Sequence, residues 1–280
     1  MGLKVNTNVE AISVHTNLVQ TNGKVADSLK RLSSGLRINS AKDDAAGFAI
    51  ANSFKAKISS MRVSSQNATE AQSMLQTADG AYTQIHDILG RMKSLATQAA
   101  SGQTESLDTV NNEFKALQDE IDRIAKSTKY GATTLVQGSG TASTGITFQV
   151  GATNSSENQI TVSFKGATSG CLGVSSAGTG AISISSATSA QAAMDAIDTA
   201  LTSINSYMGE VGAYQNRLQY TIQNLAISIE NYSASESAIR DVDMASEIST
   251  FTKNQILQQS GMAMLAQANQ APQQVLSLLR

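Results

Sequence analysis

Glu113, Asp119, Glu120, Asp122 and Arg123 form the densest group of side chains that could do acid–base chemistry in this sequence. Paired carboxylates are what general acid and base catalysis requires. Yet these residues lie opposite an apolar stripe, Val110, Phe114, Leu117, Ile121 and Ile124, that recurs in four-three steps. Charges opposite such a stripe form a solvated helix face, and that is the reading adopted. His15 and His86 are far apart and neither lies in an HExxH frame, so they do not suggest a zinc site. Cys171 is the only cysteine, which excludes a disulfide framework and a cysteine-based metal site. A P-loop, a GxGxxG turn before a helix and a GxSxG elbow are all missing. The expectation is a protein that is not an enzyme and holds no cofactor and no metal.

A second charged group, Lys42-Asp43-Asp44, has a different setting. It sits within Arg31–Ala51, RLSSGLRINSAKDDAAGFAIA, where helical spacing breaks. Ser33-Ser34-Gly35 offers a stop and Asn39-Ser40 a new cap. The stretch therefore reads as a polar joint between helical layers.

The flanking elements are long. From residue 9 to 36, Ala11, Val14, Leu18, Val25, Leu29, Leu32 and Leu36 keep helical spacing across Gly23. After the joint, Ala71, Leu75, Ala78, Tyr82, Ile85, Leu89, Met92, Ala96 and Ala99 form an unbroken heptad seam. A helix from Ala45 to Ala100 would run about 80 Å at 1.5 Å per residue, and Gly102 would end it. The shorter charged helix follows Asp108. Next, Ile146, Phe148 and Val150 alternate with polar residues, as do Ile160, Val162 and Phe164, with turn-rich GATNSSEN between them. That is a hairpin. Residues 166–189 are Gly- and Ser-rich and read as a short exposed loop.

The last third mirrors the first. A second seam runs Met194, Ile197, Leu201, Ile204, Met208, Val211, Leu218, Ile222, Leu225, Ile229 and Tyr232, with Gly209 and Gly212 placed to admit a close neighbour. Arg240, Asp241 and Asp243 then echo the first joint. A final helix from Met244 carries Ile248, Phe251, Ile256, Leu257, Met262, Met264 and Leu265, and Pro272 is expected to interrupt it before VLSLLR.

The composition suits such helices. Across 280 residues there is one Pro, no Trp, 4% aromatic and 15% charged residues, well below the usual quarter for charge. The net charge of -2 and the lack of any basic block argue against nucleic acid. The start, MGLKVNTNVEAIS, has no apolar h-region and so does not read as a Sec signal. Asn6 stands where myristoylation after Met1-Gly2 would want Ser or Thr. No apolar run reaches membrane-spanning length. The predicted fold is mainly α: an elongated antiparallel bundle of long helices with heptad seams, a small β-hairpin and loop lobe, and terminal helices pairing as a coiled coil. Both terminal helices are apolar on more than one side and need partners to bury what they carry.

Several stretches together resemble bacterial flagellin: VNTN near the start, LKRLSSGLRINSAKDDAAGFAIAN at the joint, EIDRIAKSTKYGATTL, QVGA before the hairpin turn, VGAYQNRLQYTIQNL, SASESAIRDVDMASE and NQILQQSGMAMLAQANQAPQQVLSLLR. The likeness covers roughly residues 5–165 and 190–280, in the family's order. It implies a filament subunit for swimming motility, secreted unfolded through the flagellar export apparatus and located in the extracellular flagellum. It also implies a chaperone on the C-terminal helix, a filament cap and junction proteins as partners, and neither nucleic acid nor membrane. The implied division is an inner-tube part at 1–42 and 240–280, an outer-tube part at 43–165 and 190–239, and a short variable loop at 166–189. Interlayer joint residues would be Ser33, Gly35, Arg37, Asn39, Asp43 and Asp44. Polymerisation positions would be Val14, Leu18, Val25, Leu29, Leu32, Ile248, Phe251, Ile256, Met262, Leu265, Leu276 and Leu279. Arg91, Leu95 and Glu113 match the family's contacts to Toll-like receptor five, with Ser94 where an acidic residue is common. Alternative readings are a hook–filament junction protein of the same lineage, or a secreted helical adhesin or immune-receptor ligand.

Overall fold

A computed structural model describes residues 7–101, 107–138, 141–176 and 181–278. Helices are α1 (Val9–Ser34), α2 (Ala45–Ala100), α3 (Leu107–Ser127), the single turn α4 (Thr141–Thr144), α5 (Ala187–Arg240) and α6 (Met244–Leu278). Strands are β1 (Lys129–Tyr130), β2 (Thr133–Thr134), β3 (Ile146–Gln149) and β4 (Gln159–Val162). The expected stop at Gly102 lies outside the described residues. The chain forms two compact units, one of residues Ile58–Glu230 and one of Met1–Lys57 with Asn231–Arg280.

The unit of residues 58–230 has a closed core. Every position of the α2 seam from Ala71 to Ala99 is buried, as are Ile197, Ile204, Val211 and Leu218 of α5 and Phe114 and Ile121 of α3. Each large apolar side chain so enclosed contributes about 1.5–3 kcal/mol. Antiparallel β3 and β4 form the expected hairpin, pairing Ile146 with Val162 and Phe148 with Ile160. Ile160 and Val162 face the core, and Thr147 and Thr161 join hydroxyls at 3.0 Å on the other face. The Tyr82 hydroxyl donates to the Lys165 carbonyl at 2.7 Å.

Segment 166–189 departs from the expected exposed loop. Its Ala167, Leu172, Val174 and Ile184 are buried in the same core. Buried Gln118 donates its amide N–H groups to the carbonyls of Val174 (2.7 Å) and Ile182 (3.1 Å). Leu172 and Val174, and Ile182 and Ile184, are each two apart, but neither pair extends into a run of strand length, so only tertiary packing reveals this burial. Ser186 and Ser189 then cap α5 reciprocally. Nothing described approaches Gly209 or Gly212, so the expected close neighbour there is not found in the single chain.

The other unit is built on the antiparallel pair of α1 and α6. Asn8 caps α1 by accepting the Ala11 N–H at 3.0 Å, and Gly35 ends it in the left-handed region at φ 71°. The unit also takes in the start of α2 and the end of α5. Phe54 meets Tyr232 edge-on at 5.4 Å, and the Lys57 ammonium lies 5.4 Å from the same ring. Those contacts explain why the boundary falls at Lys57 and Asn231 and not at the joints. Contrary to expectation, α6 continues through Pro272. A proline there withholds the N–H that the Ala268 carbonyl would accept, and the Asn8 side-chain amide supplies a donor at 2.8 Å instead.

Candidate assembly surface

Pairing of α1 with α6 uses only one stripe of each helix. Near Asn8 and Ala268 the pair begins; Leu18 packs on Gly261, where an added Cβ would stand 3.3 Å from the Leu18 methyl. At the other end Arg31 lies 3.6 Å from Glu247, which is buried along with Ser28 and Asn254. Of the predicted polymerisation positions, Val14, Leu18, Val25, Leu32, Phe251 and Leu265 are partly covered in this way. Leu29, Ile248, Ile256 and Met262 are not: they are more than half exposed. Val9, Ile12, Val19, Leu257 and Met264 add to the same uncovered apolar area. Leu276 lies in α6, and Leu279 lies outside the described residues. A two-helix pair leaves the outer stripe of each member in water, and surface of that kind marks association sites.

The joint residues converge on each other. The Arg37 N–H donates to the Arg240 carbonyl at 2.7 Å, and the Val242 N–H to the Gly35 carbonyl at 3.0 Å. The Arg37 guanidinium reaches the Ile239 carbonyl at 2.8 Å. The Arg240 guanidinium in turn donates to the Ile38 carbonyl and lies over the Phe48 ring. The predicted cap at Asn39-Ser40 is displaced to Asp44, which accepts the Ala46 and Gly47 N–H groups and starts α2. Asp43 instead closes the preceding loop, accepting from the Asn39 and Ser40 N–H groups at 3.1 and 2.9 Å. Those backbone donors, first Asn39 and then Ser40, hold its carboxyl below the ordinary value. Asn39 donates to the Ser34 hydroxyl, while Ser33 is exposed beside it. Asp243 caps α6 as Asp44 caps α2.

Three joint residues carry more than their sequence suggests. Ile38 is buried, Arg240 links both joints, and Gly47 is required by a close approach. A Cβ on Gly47 would meet the Asp44 carboxylate at 2.5 Å and the Ile38 methyl at 2.7 Å. The apolar Ile38 inside a polar stretch is the one signal that could have found this small core.

In the unit of residues 58–230, Arg91 makes a two-pronged contact to one Glu113 oxygen at 2.9 and 2.7 Å, on the surface. Leu95 does not join them as an accessible contact. It is 2% exposed, because the seam that holds Met92 and Ala99 turns it inward. The Ser94 hydroxyl bonds back to the Arg91 carbonyl. The charged face of α3 is laced by Arg123–Glu120 and Lys126–Asp122 pairs; Asp122 also accepts the Ser169 N–H at 2.7 Å. His15 and Cys171 are exposed, and His86 lies 3.8 Å from Asp87. Among the described residues no helix is long and apolar enough to cross a membrane.

The family model described as bacterial flagellin N-terminal helical region matches residues 5–141, and the one described as bacterial flagellin C-terminal helical region matches residues 194–279. Flagellin of Halalkalibacterium halodurans is 40% identical over 99% of both chains. Flagellin of Bacillus subtilis is 38% identical, spanning 99% of this chain and 100% of that one. The flagellar filament 33 kDa core protein of Treponema phagedenis is 39% identical over 99% of each. With both terminal helical regions matched and the likeness running from end to end, the chain belongs to the bacterial flagellin family.

Proposed function

We propose that this chain is the structural subunit of a bacterial flagellar filament, and that its uncovered helix stripes are what neighbouring copies bury. The observation that carries this reading is the division of labour within α1 and α6, where one stripe pairs inside the chain and Leu29, Ile248, Ile256 and Met262 remain in water. Family membership supports the same reading, and relatives matched over their whole length carry flagellin and filament-core names. Neither a junction protein nor an adhesin is favoured by these matches.

The finer assignments follow from it. Residues 1–42 and 240–280 act as the inner tube, 43–165 and 190–239 as the outer tube. Apolar stripes of this size need shielding before assembly, which suits secretion in an unfolded state through the flagellar export apparatus. It also suits a chaperone on the C-terminal helix, and growth between junction proteins and a cap outside the cell. The accessible residues for contact with Toll-like receptor five are Arg91 and Glu113, with Leu95 buried.

Purified monomer incubated with short filament seeds, viewed by electron microscopy, tests the central claim. Tubes should lengthen from the seeds, and deleting Met244–Arg280 should abolish that growth while a folded helical centre remains. Seeds that bind the protein and stop growing would overturn the reading in favour of a junction protein. Fibres at full yield from the truncated chain would refute the role of the terminal helices.

A further inference from the structure

Resting on the filament-subunit reading, we infer that Asn8 and Pro272 together form a register pin for the terminal helix pair, with Asn8 as a positioning residue for assembly. In an unbroken α-helix each interior carbonyl accepts the N–H four residues ahead. Pro272 has no N–H, so among the interior carbonyls of α6 that of Ala268 alone loses its helical donor. The Asn8 side-chain amide donates to that same oxygen at 2.8 Å. Its other end, Oδ1, accepts the Ala11 N–H at 3.0 Å and starts α1. One side chain therefore caps one helix and repairs a gap in the other.

The consequence is selection among registers. Apolar stripes alone tolerate sliding by a turn, because similar residues recur every three or four positions. Sliding α6 by one turn would bring the Asn8 donor against a carbonyl already bonded within its helix and leave the Ala268 oxygen without one. A polar group that is satisfied in a single alignment fixes register in helix pairs, as a lone buried asparagine does in coiled coils. Farther along, the tight seat of Leu18 on Gly261 fits the same alignment. Pro272 thus marks the one place on α6 where α1 can dock its cap.

Seeded elongation by the full-length chain, carrying Asn8→Asp with and without Pro272→Ala, tests this. Aspartate keeps the acceptor that caps α1 and cannot donate. In the Pro272 background elongation should fall about five- to tenfold, the range expected for one misplaced hydrogen-bond partner. With Pro272→Ala, which returns an N–H to the Ala268 carbonyl, Asn8→Asp should change elongation less than about twofold relative to Pro272→Ala alone, since the carbonyl no longer needs Asn8. Equal losses in both backgrounds, or no loss with Pro272 present, would overturn the pin. Should Pro272→Ala itself fail to assemble, Asn8→Ser decides. It also retains a cap but is too short to reach α6, so elongation at the wild-type rate would overturn the proposal and a loss matching that of Asn8→Asp would support it. Failure of the wild-type chain to elongate would instead sink the filament reading, which keeps the two failures apart.

Discussion

The two compact units solve the same problem, long helices with apolar seams, to different degrees of completion. In residues 58–230 the long helices α2, α3 and α5, two hairpins and the 166–189 segment together enclose the core. In the other unit α1 and α6 pair through one stripe each, and Leu29, Ile248, Ile256 and Met262 on their other faces stay more than half exposed. The contrast shows that seam quality does not decide whether a helix is a core element or an assembly element. What decides it is how many other elements the chain supplies to cover the remaining faces.

The sharpest way to break this comparison is to truncate one buried and one uncovered residue. Leu75→Ala should cost about 2–5 kcal/mol in monomer stability by denaturant unfolding, with elongation by the remaining folded protein unchanged. Ile256→Ala should stay within about 0.5 kcal/mol in the monomer yet slow elongation. If Ile256→Ala destabilised the monomer as much as Leu75→Ala, the distinction between the units would collapse. Smaller is Gly35→Ala at the joint. No atom lies within 4 Å of the new Cβ, so its cost is the left-handed backbone alone, about 1–2 kcal/mol. A melt shift in the unit of α1 and α6 larger than in residues 58–230 would place that cost where the structure does.

Acid sharpens the contrast further. The folded Asp43 carboxyl titrates below its ordinary value of 3.8 because Asn39 and Ser40 N–H groups bond its charged form. Its contribution is therefore complete above the ordinary value and is lost as pH falls through the lowered one. Protease protection of the joint should drop in that window, and Asp43→Asn should remove that component of the pH response. An unchanged acid profile in the variant would rule out this origin. Smallest is Arg91→Ala, whose exposed pair with Glu113 should contribute under about 1 kcal/mol by a double-mutant cycle.

Much of this contrast is written in the sequence. Heptad spacing located the seam of α2 from Ala71 to Ala99, though not Ala68, Met74 or Ala81 beside it, and alternation located the two arms of the hairpin, because those elements repeat the same environment at a fixed interval. The burial of Ala167, Leu172, Val174 and Ile184 is not legible in the sequence, since the groups that anchor this segment, among them Val136, Asn111 and Gln118, come from elsewhere in the chain. The Asp44 cap and the continuity of α6 past Pro272 were hidden as well. For the cap, Asp43 and Asp44 stand side by side and only the loop closed by Asp43 leaves Asp44 to start α2; for α6, the deciding partner Asn8 lies 260 residues away and becomes a neighbour only after folding. For Leu95 the family's receptor pattern pointed outward, whereas its place beside the seam turns it in.

The contacts that close the pair of terminal helices also carry a kinetic meaning. Asn8 and Ala268 are separated by 260 residues, and Arg37 and Ile239 by 202. Closing loops of that length costs entropy that no local contact offsets in advance, and non-local pairings of this kind form slowly. A chain delivered one end first has no partner for its leading helix until the trailing helix arrives. Pairing of α1 with α6 thus closes the longest loop among the described hydrogen bonds, and any surface that meets either helix before they pair competes with that closure.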